Sequence, residues 1–413
     1  MIDIIRYELR RSPFFWALGP MVILTLTLLL RESDLWNRVW PEASVQVIAA
    51  ATQLTGVTVA ATAAWSAQRV HRGNTTELLY AAARPRWQIE LIHLFGTLLY
   101  SATPLAVAAL VATFMMTPEV PSGSLWPSYI GLGLLSMVII ASLGHAVGSI
   151  IKSRLASPIA AALSFGPLFV LSLFVPHYGE ATKEVSPQAL VVRAVFAVIC
   201  LSVAIFISTT ARRGATLSLP RIAISVALPV GAFALVMVGP PQQYRPPPSN
   251  PSCAQAGQTD VCVWPDNAAL LPEAVRATAQ VNKALEGIIS APDLVAEQGL
   301  AVSHRPNSLQ LDVIPGASWE SYLSLMSYSI TSHQCASNNQ ETNYLGVMAS
   351  SKMYVWLRSA VIGGMQDPYW DPSNLTAADR QEVESILGKP RTDQVEWART
   401  QIGLIENCRD QHR

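Results

Sequence analysis

Few side chains in this chain are placed to do chemistry. Four of the five cysteines, Cys253, Cys262, Cys335 and Cys408, fall in the C-terminal part. An even set confined to one region is what an oxidising compartment produces, and it fits two disulfides. Of the three possible pairings, the preferred one closes a short loop with Cys253–Cys262 and ties two helices with Cys335–Cys408. The competing chemistry is a metal site built from His333-x-Cys335 and Cys408-x-x-x-His412, which no Cys-x-x-Cys accompanies. Cys200 sits in an apolar run and behaves there as a small apolar residue. His93 and His145 also interrupt apolar runs, and Arg193 lies near the end of another. Ionisable groups at membrane depth are expensive and face protein or water, which makes His145 a candidate for lining a path. His93 lies near a boundary and Arg193 can reach outward, so both say less. Ser303 with His304 or His333 could supply a nucleophile and a base, but serine and histidine occur together by chance at this density. His-Glu-x-x-His is absent, and the only Gly-Lys, Gly388-Lys389, continues into Pro390 rather than completing a phosphate loop. The chain has no catalytic or cofactor-binding motif and cannot be its own nucleotide-driven motor.

The elements that position these residues are set by hydropathy. A bilayer crossing takes roughly 20 mostly apolar residues, and seven such stretches are present: Pro13–Leu30, Ser44–Ala67, Ile89–Met115, Pro127–Ile151, Leu155–His177, Leu190–Ala211 and Ile222–Gly239. The loops on one side carry twelve Lys and Arg residues, from Arg6 to Arg221; those on the other carry only Arg31, Arg38 and Lys183. Basic loops stay cytoplasmic, so the N-terminus is expected inside and everything after the seventh span outside. The first run ends Leu30-Arg31-Glu32 without a small-x-small cleavage pattern, and reads as a retained span. Residues 1–240 carry 16 Lys+Arg against 10 Asp+Glu, and residues 241–413 carry 12 against 18. The basic half suits anionic lipid. The mildly acidic half is an ordinary solvated surface that gives no nucleic-acid reading.

The expected fold is therefore an all-α polytopic membrane protein of seven helices (residues 1–240). A Pro-rich tether (241–252) follows, then a mainly α-helical, disulfide-bonded extracytoplasmic domain (253–413). Met1–Ser12 has the spacing of an amphipathic surface helix. In the tail, helices are expected over Pro272–Ile289, Trp319–Ser332, Glu341–Ile362, Ala377–Leu387 and Gln394–Cys408, with one strand at Ser308–Ile314. Thr376 with Asp379, and Asp393 with Glu396, have the pattern of helix starts. Gly144-x-x-x-Gly148 permits close helix approach. Trp264-Pro265-Asp266 and Asp367-Pro368-Tyr369-Trp370-Asp371 are either an aromatic, acidic ligand surface or loops around a buried tryptophan.

The longest cytoplasmic connection, Gln68–Trp87, holds the most information. Asn74 followed by Glu77 has the form of a capping box, and Pro85 disfavours helix at Arg84. A helix of about two and a half turns, Thr75–Ala83, is expected between basic segments. Leu78, Leu79 and Tyr80 make it more apolar than a free loop needs, so lipid or a partner protein should cover it. Gly73–Arg86 resembles the Gly-Thr-x-Glu-Leu-Leu…Pro-x-x-Arg segment between the second and third spans of type-2 ABC transporter permeases. Leu143–Arg154 is similar to that family's small-residue exit from the fourth span. The resemblance covers about residues 1–215. It implies the membrane subunit of an exporter, working as a homodimer with a separate ATP-binding subunit that holds ATP-Mg. It also implies that Asn74, Thr75, Glu77, Leu78, Leu79, Tyr80, Arg84 and Arg86 form the coupling contact with that ATPase. The chain departs from the family in one extra residue between Gly73 and Glu77, a seventh span and a large outer domain.

Two other classes compete with this reading: a membrane-anchored ligand-binding or immunity protein that transports nothing, and a membrane enzyme. Seven spans exceed what an anchor needs, which favours the permease. With 23 Arg against five Lys, the composition suggests a GC-rich genome and an actinobacterial plasma membrane.

Overall fold

The computed structural model describes residues 14–31, 33–52, 55–72, 85–116, 120, 123–151, 153–173, 181–211, 242–300, 307–311, 313, 319–331, 340–362 and 375–410. The expected surface helix at Met1–Ser12 and the seventh span lie outside these residues. So do Asn74, Thr75, Glu77, Leu78, Leu79, Tyr80 and Arg84 of the expected coupling contact, as well as Cys335, His333 and His412. The chain divides into two compact units, residues 1–117 with 122–245, and residues 118–121 with 246–413.

In the first unit, long apolar runs give α1 (Phe14–Arg31), the single turn α2 (Ser33–Trp36), α3 (Trp40–Thr52) and α4 (Thr55–Arg72). These are followed by α5 (Arg86–Met115), α6 (Pro127–Ile150), α7 (Ala156–Leu173), strand β1 (Lys183–Val185), α8 (Pro187–Ala211) and strand β2 (Gln242–Tyr244). Among the described residues, α1, α5, α6 and α8 are each long and apolar enough to cross a membrane. The second expected span is two helices rather than one: α3 and α4 meet at 41°, and together they make a fifth candidate. The reason is local. Thr52 and Thr55 flank the break, and their hydroxyls donate to the carbonyls of Ile48 and Ala51 in the preceding turn; such back-bonding bends helices. The described apolar part of α7 is short, Ala156–Phe165.

Small residues bring α4 and α6 together. A Cβ on Gly144 would collide with the backbone of Ala60, and one on Gly148 with that of Ala64. The glycine pair therefore lies against α4 at backbone contact. Around it, Val59, Ala60, Ala63, Leu94, Ile139 and Phe196 form one buried cluster. Trp36 is fully buried, and its Nε1 donates to Leu29 O at 2.9 Å. Trp65 and Trp87 are half-exposed, as residues in an interfacial belt would be.

The C-terminal unit is mainly α-helical, as expected, but it adds more strands than the one read from the sequence. It contains a four-stranded sheet of order β3 (Ser252–Ala256), β4 (Thr259–Val263), β5 (Leu294–Glu297) and β6 (Ser308–Leu311). β3 and β4 form an antiparallel hairpin turned through Gly257 at φ 71°, while β4–β5 and β5–β6 are parallel. Only β6 was legible as a strand. β5 is buried at all four positions and so lacks the alternation that marks a half-exposed strand. A short 3-10 turn (Pro265–Leu270) leads to α9 (Leu271–Leu285), which buries Ala274, Ala277, Thr278, Val281 and Leu285 at helical spacing. Then come α10 (Trp319–Thr331), α11 (Gln340–Ile362), α12 (Ala377–Leu387) and α13 (Arg391–Asp410). Thr376 and Asp379 make the expected capping box at α12. α13 begins at Arg391 and not at Asp393, with the carbonyl of Pro390 accepting from Asp393 N at 3.1 Å and Gln394 N at 3.2 Å.

Cys253 and Cys262 face each other across the β3–β4 hairpin and are disulfide-bonded. Cys408 is also disulfide-bonded, while its expected partner Cys335 lies outside the described residues. Cys200 is a buried free thiol.

Candidate functional site

The membrane unit gathers its polar side chains at the end where α4 stops and α5 starts. Arg86 opens α5, and one turn further Glu90 is fully buried. His145 reaches it from α6: its Nε2 lies 3.0 Å from Glu90 Oε2, with both side chains about 1% exposed. At that distance the two groups share a proton, whichever of them holds it. One turn along α6, Ser149 Oγ donates to the His145 carbonyl at 2.9 Å and lies 2.6 Å from Ser208 Oγ of α8. On the other stem, Gln68 of α4 is buried, and its amide donates to Ile151 O at 2.6 Å and to Ser153 O. Those carbonyls belong to the exit of α6, where a helix leaves acceptors without intrahelical donors.

Residues 73–84 are thus bracketed by two side chains, Gln68 before them and Glu90 after them, and both grip the last turns of α6. Neither bond is incidental at this depth. Removing one partner of a buried hydrogen bond leaves the other unsatisfied, which costs about 1–3 kcal/mol, and more where a charge is involved. The glycine contact between α4 and α6 lets Gln68 reach the α6 exit, since bulkier residues would hold the helices apart.

His145 was singled out from the sequence and lies at the centre of this cluster, fully buried against protein. Glu90 was missed. Read along the chain it looks like a boundary charge beside Arg86 and Trp87, and only the packing of α5 on α6 turns it inward. Its position three residues before His93, on one helical face, was the available clue. Arg193 does not reach outward as expected; it is 2% exposed within the bundle. His93 is largely buried.

The tail residues considered for ligand binding have structural work. Trp264 is buried, and its Nε1 donates to Gln298 O at 3.0 Å. Buried Glu297 accepts from Trp264 N at 2.8 Å and from Asn267 Nδ2 at 2.7 Å, fixing the corner between β4 and the 3-10 turn. Residues 367–371, like Ser303 and His304, lie outside the described residues. An open cleft of about 760 Å³ is bordered by Lys283, Glu384, Arg391 and Gln394. The Arg391 guanidinium is already committed to the carbonyls of Ala284 and Glu286 at the end of α9. Among the described residues no group of three or more His, Cys, Asp or Glu side chains could hold a metal.

Residues 261–408 match the model of a family described as a domain of unknown function, DUF7224. That match falls within the C-terminal unit and leaves the membrane unit uncovered. No curated protein and no solved structure matches the chain.

Proposed function

We propose that this chain is the membrane permease subunit of an ABC-type exporter, driven by a separate ATP-binding subunit that docks on residues 74–86. The observation that carries the reading is the two-sided grip on α6. A contact that receives nucleotide-driven displacement must be attached stiffly to the transmembrane helices, because a flexible attachment absorbs the movement. Gln68 and Glu90 supply that attachment on both flanks of the segment. The Ser149–Ser208 contact extends it to α8. The resemblance of Gly73–Arg86 to the coupling segment of type-2 permeases supports the same assignment. In this reading the basic loops are cytoplasmic, the C-terminal unit is extracytoplasmic, two copies form the transport path, and ATP-Mg binds only the partner.

Leu79→Asp tests it by placing a charge on the docking surface while leaving the spans intact. The full chain purified in mild detergent from its own membranes should bring down a nucleotide-binding chain, and the variant should lose that partner with unchanged membrane insertion. Absence of any nucleotide-binding partner, or its retention in the variant, would favour the anchored ligand-binding protein. An impermeant maleimide reports topology. In a cysteine-free background a single cysteine at position 250 should label in whole cells, and one at position 75 should not.

A further inference from the structure

Helix α6 is held at both ends, and the second grip lies where the chain leaves the membrane unit. At that end Trp126 N donates to Ser44 Oγ of α3 at 2.9 Å. Trp126 stacks on Tyr129 at 5.7 Å between ring centroids. The Tyr129 hydroxyl accepts from Gln242 Nε2 at 3.3 Å, and the Arg245 guanidinium lies 4.7 Å from the centre of the Trp126 ring. Gln242–Tyr244 is not a free tether: it pairs antiparallel with Lys183–Val185, matching Val185 to Gln242. Arg245 closes the ladder, with its N donating to Thr182 O at 2.9 Å and its Nη1 to Ala181 O at 2.8 Å. Val185 packs with Tyr129, Leu132, Val45 and Ile48 in one buried cluster. The strand from which the chain continues into the C-terminal unit is therefore seated on the first turn of α6 and its neighbours.

We infer that α6 is a rigid link that passes displacement of the 73–84 segment to the β1–β2 ladder, with Gln68 and Glu90 as positioning residues at one end and Tyr129, Gln242 and Arg245 at the other. Its 24 residues span about 36 Å, the thickness of a bilayer core and its margins. After Pro127 it contains no proline, whereas α1, α5 and α7 contain Pro20, Pro104 and Pro167 beyond their first turns. An unbroken hydrogen-bond ladder moves as a body, while a proline gives way. The source of the displacement rests on the permease reading; the mechanical connection does not.

Hydrogen exchange on the full chain in detergent, with no ATPase present, separates the two. Gln68→Ala with Glu90→Gln loosens one end. Amide exchange at Lys183–Val185 and Gln242–Tyr244 should then rise by about tenfold, with Thr259–Val263 of the C-terminal unit unchanged. By reciprocity of coupling, Gln242→Ala with Arg245→Ala should raise exchange at 86–90. This second pair lies at the rim, and it decides on the same criterion if the first unfolds the bundle. Loosening confined to the mutated end overturns the link, even where an ATPase partner has been found. Transmission without any ATPase partner keeps the link and removes only the source assigned to it.

Discussion

One ionisable cluster from each unit makes a contrast. In the membrane unit, the Glu90–His145 pair is sealed at about 1% exposure and joins two long helices. In the C-terminal unit, Lys352 lies 2.8 Å from Asp379 and 2.7 Å from Glu382, with Glu382 41% exposed. Trp397 Nε1 donates to Glu382 as well, at 2.8 Å. The first pair is sealed from solvent, and its contact joins α5 to α6. The second cluster can resolvate, so its net worth is small.

The strongest way to break this contrast is a one-sided change in the bundle. Glu90→Leu should destabilise the membrane unit by about 3–5 kcal/mol, whereas Glu90→Leu with His145→Leu should recover most of that loss. Thermal unfolding in detergent of both single variants and the double variant reads the coupling; a double variant whose loss equals the sum of the Glu90→Leu and His145→Leu losses would show that the two residues act independently. Next in size, Cys253→Ser with Cys262→Ser should cost about 2–3 kcal/mol of C-terminal stability, through a freer unfolded hairpin. That unit's unfolding transition should shift and the membrane unit's should not.

Thr376→Ala should cost about 1 kcal/mol by removing the capping box of α12, read in the same transition. Smallest at neutral pH is Lys352→Met, at about 1 kcal/mol or less, but its pH dependence is diagnostic. The hydrogen bond from Lys352, with that from Thr376, holds Asp379 down to about 2. For Glu382, burial pushes upward but Lys352 and Trp397 outweigh it, so it too is lowered. Burial lowers the Lys352 ammonium's pKa, and the two carboxylates more than reverse that, so it ends raised. A depressed carboxylate stabilises above its unfolded pKa, and that stability fades as pH falls from about 4 to about 2. Lys352→Met should flatten stability across this window; an unchanged acid profile would show that the cluster contributes nothing. The raised Lys352 gives the converse loss only as pH climbs above its ordinary range.

Much of the architecture could be read from the chain, but unevenly. Helices with one buried stripe were legible: Ala377–Leu387 was expected at those bounds, and Trp319–Thr331 and Gln340–Ile362 within one residue. The sheet was not, apart from β6, since β4 and β5 are short, largely buried runs, and their pairing with each other joins positions as far apart as Val261 and Val295. At the candidate site, His145 was visible because a histidine in an apolar run is conspicuous. Glu90 and Gln68 were invisible for the opposite reason, since polar residues near a span's end look ordinary until a neighbouring helix covers them. The tether shows the same limit. Its prolines announce an extended segment, but nothing in Gln242–Tyr244 announces that Lys183–Val185 will pair with it.

The break between α3 and α4 also bears on how the chain is made. α4, Thr55–Arg72, carries three threonines, a serine and a glutamine, and qualifies as membrane-spanning only together with α3. Its close-packed seat, the face of Gly144 and Gly148, is encoded roughly 80 residues later, which is about 4–16 s of synthesis at typical rates. During that interval α4 has no groove to enter. It is expected to wait at the insertion machinery or the bilayer surface and to settle only when α6 arrives. The order of biogenesis would then differ from the order of the sequence, with the fourth crossing completing the second.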